Sequence, residues 1–196
     1  MSFHLRLATC LMIPLSLALP CAGSADPVSD ALNAAQSAYR SGDLAATGAS
    51  LITASTELRR IETAKLRAAL PDAPSGWSRQ ITETGTDDSA TAAATLLSGP
   101  SIEATYVNGD SDAFTLTYSA DNPVAGTQSN AYGDPKLMAL LGKVVDLNGV
   151  ALLDQNDTVT AMLANRVLVQ AEGMSFDKMR PVLERIDFKK LGSFDK

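Results

Sequence analysis

The stretch from Leu163 to Lys190 constrains this chain most, because it reads as a strand, a turn and a closing helix that must cover something. Val167, Val169 and Ala171 alternate with Arg166, Leu168, Gln170 and Glu172, the period-two pattern of a strand with one apolar side. Gly173 interrupts the alternation, and Ser175 is placed to cap a helix whose first turn holds Asp177, where the helix dipole favours an anion. Over residues 175–190, Phe176, Met179, Leu183 and Ile186 fall on one helical stripe with Val182 beside it. Pro181 lies inside that helix and costs one backbone hydrogen bond and a slight bend. So much apolar surface needs a sheet beneath it, and the upstream strands are expected to supply one.

Those strands are legible as alternation punctuated by turn residues. Trp77 to Thr84 carries Trp77, Arg79 and Ile81 on one side, and Ser101–Val107 and Ala113–Ser119 pair across Asn108 to Asp112. Phe114, Leu116 and Tyr118 give the latter a clear apolar side. Lys143–Leu147, Val150–Gln155 and Thr158–Leu163 follow, separated by Asn148-Gly149, a favoured hairpin dipeptide, and by Asn156-Asp157. Successive strands with tight turns predict an antiparallel meander, within an antiparallel sheet of about five to seven strands. Asp134-Pro135 caps a short helix, Pro135–Leu141, closed by Gly142, and Ala90 to Leu97 has the composition of another.

The first part of the chain is helical. Val28, Ala31, Leu32, Ala35, Ala38 and Tyr39 make one apolar face over residues 26–40, Ser41-Gly42 ends that helix, and Asp43 caps the next. The second helix runs to about Leu70, with Leu44, Gly48, Leu51, Leu58 and Ile61 along one side and opposite-charge spacings Glu57–Arg60 and Glu62–Lys65 in its latter half. A short connection makes the two antiparallel neighbours, and the Ala, Ser and Thr between them predict a close, weak contact. Residues 34–46 resemble the helix-turn-helix of a tetratricopeptide repeat, but the pattern occurs once and the second helix is too long, so an ordinary hairpin is expected. Pro71 and Pro74 then break the helix, making residues 71–76 a linker. The fold expected is α+β: an antiparallel helical hairpin over 26–70, the linker, and over 77–196 a mostly antiparallel sheet covered by a C-terminal helix.

Residues 1–25 have the plan of a cleaved secretory signal peptide: a short basic start with Arg6, an apolar run from Leu7 to Pro20, and small residues to Ala25. Pro14, Pro20 and the shortness of the run argue against a membrane span, and Pro20 before Cys21 argues against a lipidation site. The expected location is the periplasm. Cleavage would remove His4, Cys10 and Cys21, every histidine and cysteine of the 196 residues, and leave 15 basic against 22 acidic residues. The mature chain then has no Ser-His-Asp triad, cysteine nucleophile or Cys/His zinc set, and no phosphate-cradling glycine motif is present. A net negative chain without a basic stripe is a poor partner for nucleic acid and for anionic membranes. No cofactor is expected.

With the pieces assembled, the chain resembles a group of exported bacterial proteins. Those carry a helical hairpin ending in a linker like Leu70-Pro71 and Pro74-Ser75-Gly76-Trp77, and end in segments like Asn165–Val169 and Ile186–Leu191. The resemblance implies architecture and no activity. The second half is also similar, in its layers alone, to the small sandwiches of the PsbP and Mog1 type.

What chemistry survives is carboxylate, Ser/Lys and oxygen-ligand metal chemistry. Asp87-Asp88, Asn108/Asp110/Asp112 and Asp154/Asn156/Asp157 are acidic clusters, each in an expected turn where Asn and Asp serve the backbone, and none spaced as a calcium loop. Lys65, Lys136 and Lys143 stand among serines and threonines without a pairing signature. Two recognition elements remain, the hairpin and the long polar connection from Ala120 to Asp134, whose Asn122, Gln128, Asn130 and Tyr132 are the candidate contacts for a ligand or partner. The expectation is a non-catalytic periplasmic module binding an envelope protein or a small ligand. Its alternative is an envelope hydrolase using carboxylate or Ser/Lys chemistry.

Overall fold

The computed structural model describes residues 26–82, 99–109, 112–122 and 131–196. Helices α1 (Pro27–Arg40) and α2 (Leu44–Ala68) form the expected hairpin, each started by an aspartate. Asp26 accepts a hydrogen bond from the Val28 N–H, and Asp43 from the Ala46 N–H at 2.9 Å. After the linker come β1 (Trp77–Thr82), β2 (Ser101–Asn108) and β3 (Ala113–Ala120). Then follow α3 (Pro135–Leu141), β4 (Lys143–Leu147), β5 (Val150–Gln155), β6 (Thr158–Leu163) and β7 (Val167–Glu172). Two short helices, α4 (Phe176–Leu183) and α5 (Phe188–Leu191), close the chain. The class is α+β. Residues 83–98, and with them the expected helix over 90–97, lie outside the described residues.

All seven strands join one antiparallel sheet, in the order β1-β2-β3-β7-β6-β5-β4. The strands with tight turns after Gly142 form the expected antiparallel meander, β4-β5-β6-β7. Two meanders, β1-β2-β3 and β4-β5-β6-β7, are sewn together where β3 pairs with β7. The long connection after Ala120 and α3 carry the chain to the far edge, so the last strand returns to the centre.

Alternation decides which face is dry. Ile102, Ala104 and Tyr106 of β2, Phe114, Leu116 and Tyr118 of β3, and Val167, Val169 and Ala171 of β7 are all buried on one face. Phe176, Met179, Val182 and Leu183 of α4, Ile186, Leu191 of α5 and Leu66 at the end of α2 cover it. Trp77 packs edge-on against Phe114, with ring centroids 6.0 Å apart, so the lone tryptophan anchors the sheet. The opposite face carries rows of polar partners, such as Thr105, Thr115, Glu172 and Thr158, read across β2, β3, β7 and β6. Towards β4 and β5 that face is covered by α3, whose Met138 is buried, as is Leu153 of β5.

The closing helix differs from expectation. It is two helices, because Glu184 caps α4 and Asp187 starts α5 by accepting the Lys190 N–H at 2.9 Å. Ser175 occupies the cap position, yet its side chain makes no cap hydrogen bond. The break lets Phe188 and Leu191 turn back onto the sheet, which one straight helix could not do. Gly173 has a φ of +119°, and a Cβ there would meet the Ala113 carbonyl oxygen at 3.0 Å, so glycine is required where β7 leaves the sheet.

Candidate functional site

The surface most out of keeping with a self-sufficient fold is on the hairpin. Among the described residues, helix α1 has no extensive contact with any element but α2, and the residues it buries are alanines, Ala31 and Ala35, while α2 buries Ala54. The large apolar side chains point elsewhere. Leu32 and Tyr39 of α1 and Leu44, Leu51 and Leu58 of α2 are between 48 and 70 % exposed. The apolar stripes read from the sequence are therefore split: the alanines pack inward and the leucines and Tyr39 face solvent.

Helical geometry places these five residues on one side. At 3.6 residues per turn, Leu44, Leu51 and Leu58 stand about 60° round α2 from the buried Ala54. Leu32 and Tyr39 stand about 70° round α1 from Ala31 and Ala35, and because α1 runs the other way that rotation brings them to the same side. The surroundings are neutral. Residues 31–39 and 44–56 contain no charged residue, and Gly48 and Ser55 lie beside the leucines. Charge depletion and an exposed Tyr are two features that interface centres share.

The connection expected to be a recognition loop divides differently. Its first residues belong to the fold: Ala120 is buried, and Asp121 receives both the Nε (2.8 Å) and an Nη (2.6 Å) of Arg166. Asn122 is half-buried just beyond. Tyr132 is also half-buried, and it and Ala131 are helical, so this end of the connection has structure of its own. Gln128 and Asn130 lie outside the described residues. Asn122 and Tyr132 stand at opposite ends of the connection.

Arg166 also reaches Asp195 at 2.9 Å and lies over the Phe194 ring, so the β6–β7 turn, the end of β3 and the C-terminus meet on one guanidinium. Glu62 of α2 adjoins this group. Burial, then the charges of Asp121 and Asp195, raise its pKa above the ordinary Glu value, against the pull of Arg166 and Arg59. The Arg166 hydrogen bond holds Asp195 below the usual range. Asp121 and Asp195 are thus committed to a structural clamp. The acidic turns are engaged too: Asp112 pairs with Lys178 at 2.6 Å, Asn108 accepts the Asp112 N–H, and Asp154 faces Lys143. Asp110 and Asp87-Asp88 lie outside the described residues. Lys65 donates to the Asp195 carbonyl, so it sits beside the clamp. On the polar sheet face an open depression of about 400 Å³ is lined by Thr105, Thr115, Asp157, Thr158 and Glu172.

Set against known protein families, curated proteins and solved structures, the chain matches none. Among the described residues, no helix is long and apolar enough to cross a membrane.

Proposed function

We propose that this chain is a non-catalytic, exported interaction module that binds a partner through the apolar face of its helical hairpin. The observation that carries the reading is the neutral face bearing Leu32, Tyr39, Leu44, Leu51 and Leu58. Five large apolar side chains on two helices exceed what single, scattered exposure accounts for. The leader-like residues 1–25 support export, and with it a partner in the cell envelope. The hydrolase alternative needs a carboxylate or a Ser/Lys pair poised at an open surface, whereas Asp121 and Asp195 are both held by Arg166. A small polar ligand is a second reading, favoured by the depression among Thr105, Thr115, Thr158 and Glu172.

The test is affinity capture from an envelope extract with the tagged chain and its Leu51→Glu/Leu58→Glu variant, circular dichroism confirming that both are folded. A protein retained by the first and lost from the second supports the hairpin as the binding surface. Identical retention by both chains would overturn it.

A further inference from the structure

The hairpin face has a property that a surface for an arbitrary partner does not need: it is complementary to itself. Resting on the reading that this face is the interaction surface, we propose that its occupant is a second copy of this chain, two hairpins closing an antiparallel four-helix bundle about a two-fold axis.

Spacing supplies the first argument. Leu44, Leu51 and Leu58 are seven residues apart, so Leu51 is the midpoint of its stripe. Helix α1 ends at Arg40 and α2 begins at Leu44, and counting back from that turn at equal rise per residue sets Leu32 at about the level of Leu51. Val28 then stands near the level of Leu58, and Tyr39 near that of Leu44. A two-fold axis lying in the face, perpendicular to the helices at the level of Leu51, lays α2 on α2 and α1 on α1. Leu51 then meets Leu51 and Leu32 meets Leu32, while Leu44 meets Leu58 and Tyr39 meets Val28. One axis satisfies both helices, which is the condition for an isologous interface.

Charge agrees with the arrangement. The centre of the face is neutral, so a chain of net charge −6 does not repel itself there. At the ends, Asp43 of one tip reaches the level of Arg59 on the other α2, and Arg40 the level of Asp26 at the start of the other α1, opposite in sign at both positions.

Size agrees too. The five exposed side chains offer about 500 Å² of mostly apolar surface per copy, and the Gly, Ala, Ser, Thr and Gln between them bring the face near the roughly 800 Å² per partner of a standard interface.

The experiment uses the full chain, expressed with its own leader and purified from the envelope fraction. Light scattering on a sizing column is expected to give twice the monomer mass for the natural sequence and the monomer mass for Leu51→Glu/Leu58→Glu, with unchanged circular dichroism. Under mild oxidation, Leu51→Cys is expected to form a disulfide-linked dimer. Asn33→Cys on the outer side of α1 and the natural sequence, whose Cys10 and Cys21 lie in the leader, are expected not to. A natural chain that is monomeric at ~100 μM, a concentration ample for a standard interface, would overturn the second copy. If that monomer still lost a foreign partner on Leu51→Glu/Leu58→Glu substitution, the interaction reading would stand without it. A dimer that survives the double substitution would place the interface elsewhere and overturn the proposal.

Discussion

Tyr106 and Tyr118 project from neighbouring strands into the same core, and their hydroxyls have opposite fates. The Tyr106 Oη donates to the Pro71 carbonyl at 2.6 Å, and burial pushes its pKa up to about 12. The Tyr118 Oη is buried with no hydrogen-bond partner among the described residues. Removing a paired hydroxyl costs a hydrogen bond, whereas removing an unpaired one recovers its desolvation. Tyr106→Phe is therefore expected to lose about 1 kcal/mol in urea unfolding, at the low end because Arg79 also donates to the Pro71 oxygen. Tyr118→Phe is expected to be neutral or stabilising, and a loss as large as that of Tyr106→Phe would mean that its hydroxyl is paired. Glu62 gives a pH-dependent prediction. Because its pKa is raised in the folded chain, it holds a proton more tightly there than when unfolded, so its ionisation opposes folding at neutral pH. That penalty is relieved as pH falls through the raised value and is absent below the ordinary value of 4.5. Glu62→Gln should raise the Tm at pH 7 and leave it unchanged near pH 4, with an equal gain at both pH values counting against the linkage.

Among the elements, α1 is the least secured. It is 14 residues long, near the length at which isolated helices are marginal, and among the described residues it buries two alanines with α2 as its one extensive neighbour. Strand β7, by contrast, is paired on both sides and covered by α4. Local opening follows burial and pairing, so amide exchange is expected to reach α1 well before β7. In a dimer, the lag should shrink as protein concentration rises, because the second hairpin protects α1 by mass action. Exchange in α1 as slow as in β7 in a dilute, monomeric sample would show that alanine packing alone suffices.

For the whole molecule, the seam between the meanders matters most. Arg166, in the turn that leads into β7, ties the end of β3 through Asp121 and the C-terminus through Asp195. Its bonds are charge-assisted and one pair is bidentate, but the site is a third exposed and correspondingly screened. Arg166→Ala is expected to cost about 1–2 kcal/mol and to cost less in high salt, measured by denaturant unfolding. A cost that does not change with salt would assign the effect to lost packing over Phe194 instead.

What the amino-acid sequence determined by itself is the set of elements and their dry sides. Period-two alternation in 113–119 and 167–172, the Asn148-Gly149 turn and the aspartate caps are local causes, acting within a few residues, and each appears where those residues dictate. The Asn156-Asp157 turn was equally legible, since Asn and Asp serve the backbone there. Three things were decided only by the tertiary structure. The pairing of β3 with β7 joins residues about fifty positions apart, and local turns carry no information on where a long connection returns. The break at Glu184–Asp187 follows from the need of Phe188 and Leu191 to reach a sheet whose extent the helix pattern does not encode. The exposure of Leu51 and Tyr39 depends on which side of each helix the other one covers. A stripe of leucines and alanines fits either choice, and only packing, which brings the two helices together along their small residues, leaves the large ones outside.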